Sequence, residues 1–144
     1  MIRATVERII PAPPEVVFAA VADRENHHRI VPGVRGRVLR EGFTQRQGLG
    51  TLHRIGLFGR VGVVEQVVEF DAPNRFTYRL VSGVPLENHF GEFEFDPVQE
   101  GTLVTMTMRT EPPVPLPTVP AGRALAVGLR LFLFGLQRAA LQRM

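Results

Sequence analysis

The segment from Thr102 to Leu136, TLVTMTMRT-EPPVPLP-TVPAGRALAVGLRLFLFGL, changes its hydrophobic period once and abruptly. Thr102 to Thr110 alternates, with Val104, Met106 and Met108 on one face, as a half-buried strand does. Glu111 to Pro117 holds four prolines, cannot join a sheet interior, and reads as a stiff extended connection. From Thr118, a candidate cap, the period becomes that of a helix reaching about Arg143. At 1.5 Å per residue it spans roughly 39 Å, enough to cross a whole sheet.

Residues of this helix set at 100° intervals separate into faces. Arg123, Arg130, Gln137 and Arg138 share a narrow stripe, and Leu125, Leu129, Phe132, Leu133, Leu136 and Ala140 lie opposite. Val127, Phe134 and Leu141 intrude on the arginine stripe, which raises self-association as a homodimer. Gly128 and Gly135 sit beside the apolar face and each costs helix stability. They mark places where a neighbour or a ligand comes close, and close packing on the sheet is the favoured reading.

Upstream of Thr102 the period is two almost everywhere. Val34 to Glu41, Gly48 to Phe58, Arg60 to Asp71, Arg75 to Val81 and Leu86 to Asp96 read as strands, with turns near Gly59, at Ala72-Pro73-Asn74, at Ser82-Gly83 and at Gln99-Glu100-Gly101. Ile2 to Ile10 is a first strand. Pro13 and Pro14 open a short helix over Glu15 to Ala22, and Asp23 caps a second through about Ile30. The expected order is β-α-α-β6-α. This predicts an α+β fold: a curved antiparallel sheet of about seven strands gripping the C-terminal helix, in one domain over residues 1–144.

Alternation also predicts an interior. Val104, Met106 and Met108 face inward, as do Phe76, Tyr78 and Leu80; His53, Ile55 and Leu57; and His89, Gly91, Phe93 and Phe95. Glu92 and Glu94 are left outside. Between Arg60 and Asp71 the expected inner set is Val64, Gln66, Val68 and Phe70, with Glu65 and Glu69 outside, although Val61, Val63 and Val67 make the other face apolar too. An apolar pocket with a few convergent polar groups is the usual small-molecule site. The candidate ligand-binding residues are therefore His53, Gln66, Tyr78 and His89, with Met106, Met108, Leu129, Phe132 and Leu136 as apolar wall. A buried His or Tyr satisfied by a backbone carbonyl is the competing explanation for the polar four.

Composition narrows the classes. The chain has 144 residues, 44% hydrophobic and 22% charged, which suits a globular domain. Without cysteine it has no disulfide, thiolate nucleophile or thiolate metal site. All 17 basic residues are arginine, a pattern of GC-rich, bacterial coding, so the net charge of +3 does not imply nucleic acid. All 14 acids lie at or before Glu111, leaving a basic tail. No signal-peptide pattern opens the chain, and Arg130 interrupts the longest apolar stretch, so neither secretion nor a membrane span is expected and the cytoplasm is the expected location. Ser82 lies in a turn without a nucleophile elbow. His27 and His28 are adjacent, expected exposed or at the cavity mouth, and lack metal-ligand spacing. No metal or cofactor is expected.

Several motifs carry a family resemblance: Pro11-Ala12-Pro13-Pro14-Glu15-Val16-Val17-Phe18, Val21-Ala22-Asp23, Val31-Pro32-Gly33-Val34, Phe70-Asp71-Ala72-Pro73-Asn74-Arg75-Phe76, and Gly101-Thr102-Leu103-Val104-Thr105-Met106. Over nearly its full length the chain resembles the START-like, or SRPBCC, superfamily in its polyketide cyclase/dehydrase and lipid-transport branch. Val21 to Val34 also resembles coenzyme-Q-binding members. The resemblance implies the helix-grip fold and apolar ligands held between sheet and C-terminal helix. Fold alone does not fix function. The first expectation is a carrier for a lipid, an isoprenoid or a polyketide-like aromatic. The second is a cyclase or dehydratase using His53, His89 or Tyr78 as general acid or base. The third is a protein or membrane interaction module using the arginine-bearing helix.

Overall fold

The computed structural model describes residues 1–57 and 61–144, Val61 by its backbone only. In chain order it contains β1 (Ile2–Ile10), α1 (Pro14–Ala22), a 3-10 segment (Arg24–Arg29), β2 (Val34–Arg40), β3 (Leu52–Leu57), β4 (Val61–Asp71), β5 (Arg75–Ser82), β6 (Glu87–Val98), β7 (Gly101–Glu111) and α2 (Thr118–Gln142). The strands form one antiparallel sheet in the order β1-β7-β6-β5-β4-β3-β2. The pairing of β1 with β7 places the first and last strands side by side. This is the expected α+β helix-grip arrangement.

Local chemistry explains the boundaries that moved. β3 begins at Leu52 rather than Gly48, because the Thr51 hydroxyl accepts from the Gly48 amide at 2.8 Å and donates to the Arg46 carbonyl at 3.0 Å. Those bonds, with Gly50 at φ +88°, fold residues 48–51 into a turn. The second helix is a 3-10 segment, kinked at Asn26. Asp23 does not cap it, because the carboxylate is taken by side chains. Nor does Thr118 cap α2, which begins at that residue behind Pro117 with no side-chain cap. The turn expected near Gly59 lies outside the described residues.

The largest correction is in β4. Val67 is buried in the core and Glu65 is buried as well, while Gln66 points out and Val68 is exposed. Gln66 accepts there from Arg79 Nη2 at 2.9 Å and Nε at 3.1 Å. The cause is a β-bulge. Val67 pairs with Tyr78 and Glu69 with Thr77, so Val68 is an extra residue facing no partner. Phe70 is inward as expected, but counting back from it by twos crosses the bulge and inverts every residue before it. Leu57, expected inward, is exposed at the end of β3.

α2 lies along the sheet with Leu129, Leu133, Leu136, Ala139 and Ala140 in the core. By length and composition alone this helix is apolar enough to cross a membrane despite Arg130, a property that the core helix of a folded domain shares. Here its apolar face is the inner wall of the fold. Seven residues apart, two glycines have opposite surroundings. A Cβ at Gly135 would sit 2.2 Å from the Ile30 carbonyl oxygen, whereas one at Gly128 would meet nothing within 4 Å.

Candidate functional site

Phe18 of α1 is driven into the core by its neighbours Val17 and Val21. It meets Phe70, Phe76 and Phe95 edge-on, with centroids 5.1, 6.1 and 5.3 Å away. This aromatic cluster fills one end of the space under the sheet. At the other end, toward the 3-10 segment and the middle of α2, a cavity of about 230 Å³ remains. That equals roughly seven or eight waters at ~30 Å³ each, and is smaller than the ~300 Å³ at which drug-sized sites begin. The wall is apolar: Val21, Ile55, Phe76, Phe93, Met106, Met108, Leu129 and Phe132. Gly128 and Phe132 also border an outer groove of about 330 Å³, so they form the mouth. A larger hollow of about 570 Å³, between α1 and residues Gln45, Gln47, Ala72 and Pro73, is an open groove on the other side of Phe18. It cannot enclose an apolar molecule, so the smaller, better enclosed cavity is the candidate site.

Three polar side chains and one phenol line the cavity. Arg24 is only 4% exposed and forms an ion pair through Nη2 with the Glu65 carboxylate, itself buried. The guanidinium lies over the Tyr78 ring, 4.4 Å from its centroid. Tyr78 in turn lies across Gly91, where a Cβ would come within 2.3 Å of the ring. Burial, reinforced by the Glu65 charge, pushes the Tyr78 phenol well above its usual range. His27 is buried against Phe132, with ring centroids 5.6 Å apart. Burial, then the Arg24 charge, lowers its pKa to about 3.

His53 stands just behind this wall. It pairs across the ladder with Glu65 and is fully buried. Its Nε2–H donates to Gln47 Oε1 at 3.0 Å. Burial and then Arg24 bring its pKa down to about 3. Gln47 is a hub, since its Oε1 also accepts from the Glu25 amide at 3.0 Å and its Nε2 donates to Asp23 at 3.0 Å. Burial pushes the Asp23 carboxyl up, but hydrogen bonds from Asn26, Gln47 and Arg143 outweigh it and hold the pKa below its usual value. This network pins the loop before β3 over the start of the 3-10 segment.

Of the expected residues, Tyr78, Met106, Met108, Leu129 and Phe132 line the cavity. His53 is inward but one layer back, and Leu136 is fully buried in solid core beyond the cavity. His89 is half-buried at the edge, its pKa lowered by burial while the Glu65 charge acts in the opposite direction. Gln66 is on the outer face, on the far side of the sheet from the cavity. Glu92 and Glu94 lie outside as expected, paired with Arg109 and Arg75. His27, expected exposed or at the mouth, is buried in the lining. Alternation missed Arg24 and Glu65 altogether. The available signal was Val67, whose apolar side chain shares a face with Glu65.

The arrangement can desolvate a small apolar molecule and offer it one compensated charge pair. Burial displaces the titrations of His27, His53 and Tyr78 away from neutral pH.

Comparison with known proteins places this geometry. The chain superposes on a START superfamily protein from Mycobacterium smegmatis with a TM-score of 0.80, at 17% identity over 99% of this chain and 98% of that one. TTHA0849 from Thermus thermophilus gives 0.78 at 25% identity, covering 98% of both chains. Ara h 8.0201 gives 0.75 at 14% identity, covering 97% of both. Among curated proteins, none matches the chain in sequence. The family model for polyketide cyclase / dehydrase and lipid transport proteins matches residues 1–144. With its sheet, its gripped helix and the apolar cavity between them, the chain belongs to the polyketide cyclase / dehydrase and lipid transport family.

Proposed function

We propose that this protein binds a small hydrophobic molecule, of lipid, isoprenoid or aromatic polyketide type, between the sheet and α2, acting as a cytoplasmic carrier or sequestering protein. The observation that carries the reading is the cavity itself. Apolar side chains from α1, from β3, β5, β6 and β7, and from α2 converge on enclosed space that the aromatic cluster leaves unfilled. Binding is favoured over acid–base catalysis because burial moves His27, His53 and Tyr78 away from the neutral range in which a general acid or base works best. The volume limits the occupant to a compact one, such as one or two fused rings or a short branched chain.

The test is a fluorescence titration with two-ring aromatic probes, alongside native mass spectrometry of the purified chain. The protein should bind such probes, and Met108→Trp, which adds bulk at a half-buried wall position, should abolish binding while leaving the fold intact. Absence of binding to every apolar probe, or unaltered binding in Met108→Trp, refutes the reading. A second reading concerns the outer side of α2. There Val127, Leu131 and Phe134 are 55, 69 and 57% exposed, which favours self-association through this stripe.

A further inference from the structure

We propose that the compact group held in the cavity is one end of a longer molecule, whose hydrocarbon chain leaves past Gly128 and lies in the outer groove between α2 and residues 30–32. This rests on the hydrophobic-binding reading and adds the class of ligand: a ring or branched head that carries an extended apolar chain.

Gly128 carries the argument. Glycine weakens a helix interior more than any residue except proline. At Gly135 the close approach of the Ile30 carbonyl requires it. At Gly128 packing makes no such demand, since a Cβ would meet nothing within 4 Å. Gly128 stands instead between two hollows, the cavity of about 230 Å³ and the outer groove of about 330 Å³, and lines both. A long side chain at this position would reach into one or the other. Bare backbone keeps the mouth clear.

The groove is suited to hydrocarbon. Val31 and Pro32 come from the loop after the 3-10 segment, Leu131 and Phe134 from α2, and of the described lining residues only Arg138 is charged. Leu131 and Phe134 are exposed, so a chain laid over them removes apolar surface from water. Continuity with the cavity identifies the occupant, because a molecule seated inside has its way out at the head of the groove. The enclosed volume fixes the group inside and sets no limit on the chain attached to it. The cavity alone falls short of the ~300 Å³ at which drug-sized sites begin, whereas cavity and groove together exceed it.

Fluorescence titration of the full chain with naphthalene, 2-ethylnaphthalene and 2-butylnaphthalene tests this. A methylene in an open groove is covered on about half its surface and should raise affinity about twofold, so the butyl compound should bind about tenfold or more tightly than naphthalene. Leu131→Asp puts a charge in the groove at an exposed position outside the cavity lining. It should leave naphthalene affinity unchanged and remove most of the butyl gain. Gly128→Leu, which obstructs the mouth, should remove that gain as well. Equal wild-type affinity for the three compounds overturns the inference and leaves the cavity reading in place, and a second copy covering the groove would give this result. A butyl gain that survives in either variant also overturns it, since the chain then lies elsewhere. So does a Leu131→Asp variant that weakens naphthalene as much as the butyl compound. If the wild-type chain binds none of the three, the cavity reading falls with it.

Discussion

Gly128 and Gly135 stand two turns apart on α2, yet one faces open space and the other meets the Ile30 carbonyl. The same helix is thus packed to contact at its C-terminal end and held off the sheet near its middle. At the packed end Leu133, Leu136, Ala139 and Ala140 are buried, and the Arg143 guanidinium reaches Asp23 at 3.3 Å. At the open end Gly128, Leu129 and Phe132 of the helix face the cavity, across from its apolar wall and from Arg24 and His27. The contrast teaches that one helix does two jobs. Its C-terminal half closes the core, and its middle roofs a space that the core does not need.

The largest effect that should set the two ends apart is acid sensitivity. His27 and His53 at the open end are uncharged when folded, with pKa values of about 3, against an ordinary 6.5 in the unfolded chain. Protons therefore bind the unfolded state more readily as pH falls. Stability is complete above pH 6.5 and declines toward pH 3, with a slope approaching about 1.4 kcal/mol per pH unit for each histidine. Urea unfolding between about pH 7 and 5 measures this, and His27→Leu should flatten the curve. A flat wild-type profile over that range would contradict the burial of both rings.

Next comes the packed end. Gly135→Ala places a methyl against backbone that cannot swing aside, and should cost about 3 kcal/mol, or roughly 10 °C in melting temperature. If the variant melts with the wild type, the close contact with Ile30 is wrong. Gly128→Ala, the matched change at the open end, should instead stabilise by about 1 kcal/mol through helix propensity. Destabilisation there would mean that the middle of α2 is packed after all. The smallest effect belongs to the outer stripe. Phe134→Ser should alter stability by no more than about 0.5 kcal/mol, and its readout is mass in solution. A dimer that becomes monomeric supports self-association, and a monomer before and after ends it.

Legibility from sequence follows regularity. β7, the proline connection and α2 declare themselves because each keeps one period over many residues, and the inward set Val104, Met106, Met108 follows directly. β4 does not, because a single unpaired residue shifts its phase and alternation has no means of marking it. Arg24 and Glu65 are hidden for a different reason. Each is ordinary in its own segment, and only the fold brings together residues 41 positions apart. His27 lies in a short 3-10 segment kinked at Asn26, which has no sustained period to assign the ring to a face. The cavity's size, too, depends on how far Phe18 reaches under the sheet, which no local pattern encodes.

Val68 has a wider implication. An unbulged β4 anchored at Phe70 would turn Gln66 toward the ligand space and send Glu65 to solvent, leaving Arg24 without its counter-charge. Whether this protein greets its guest with a paired cation or a lone one is therefore decided by the length of a strand and not by the identity of any residue in the wall. Relatives could change their ligand preference through one inserted or deleted position, with every lining side chain spelled the same.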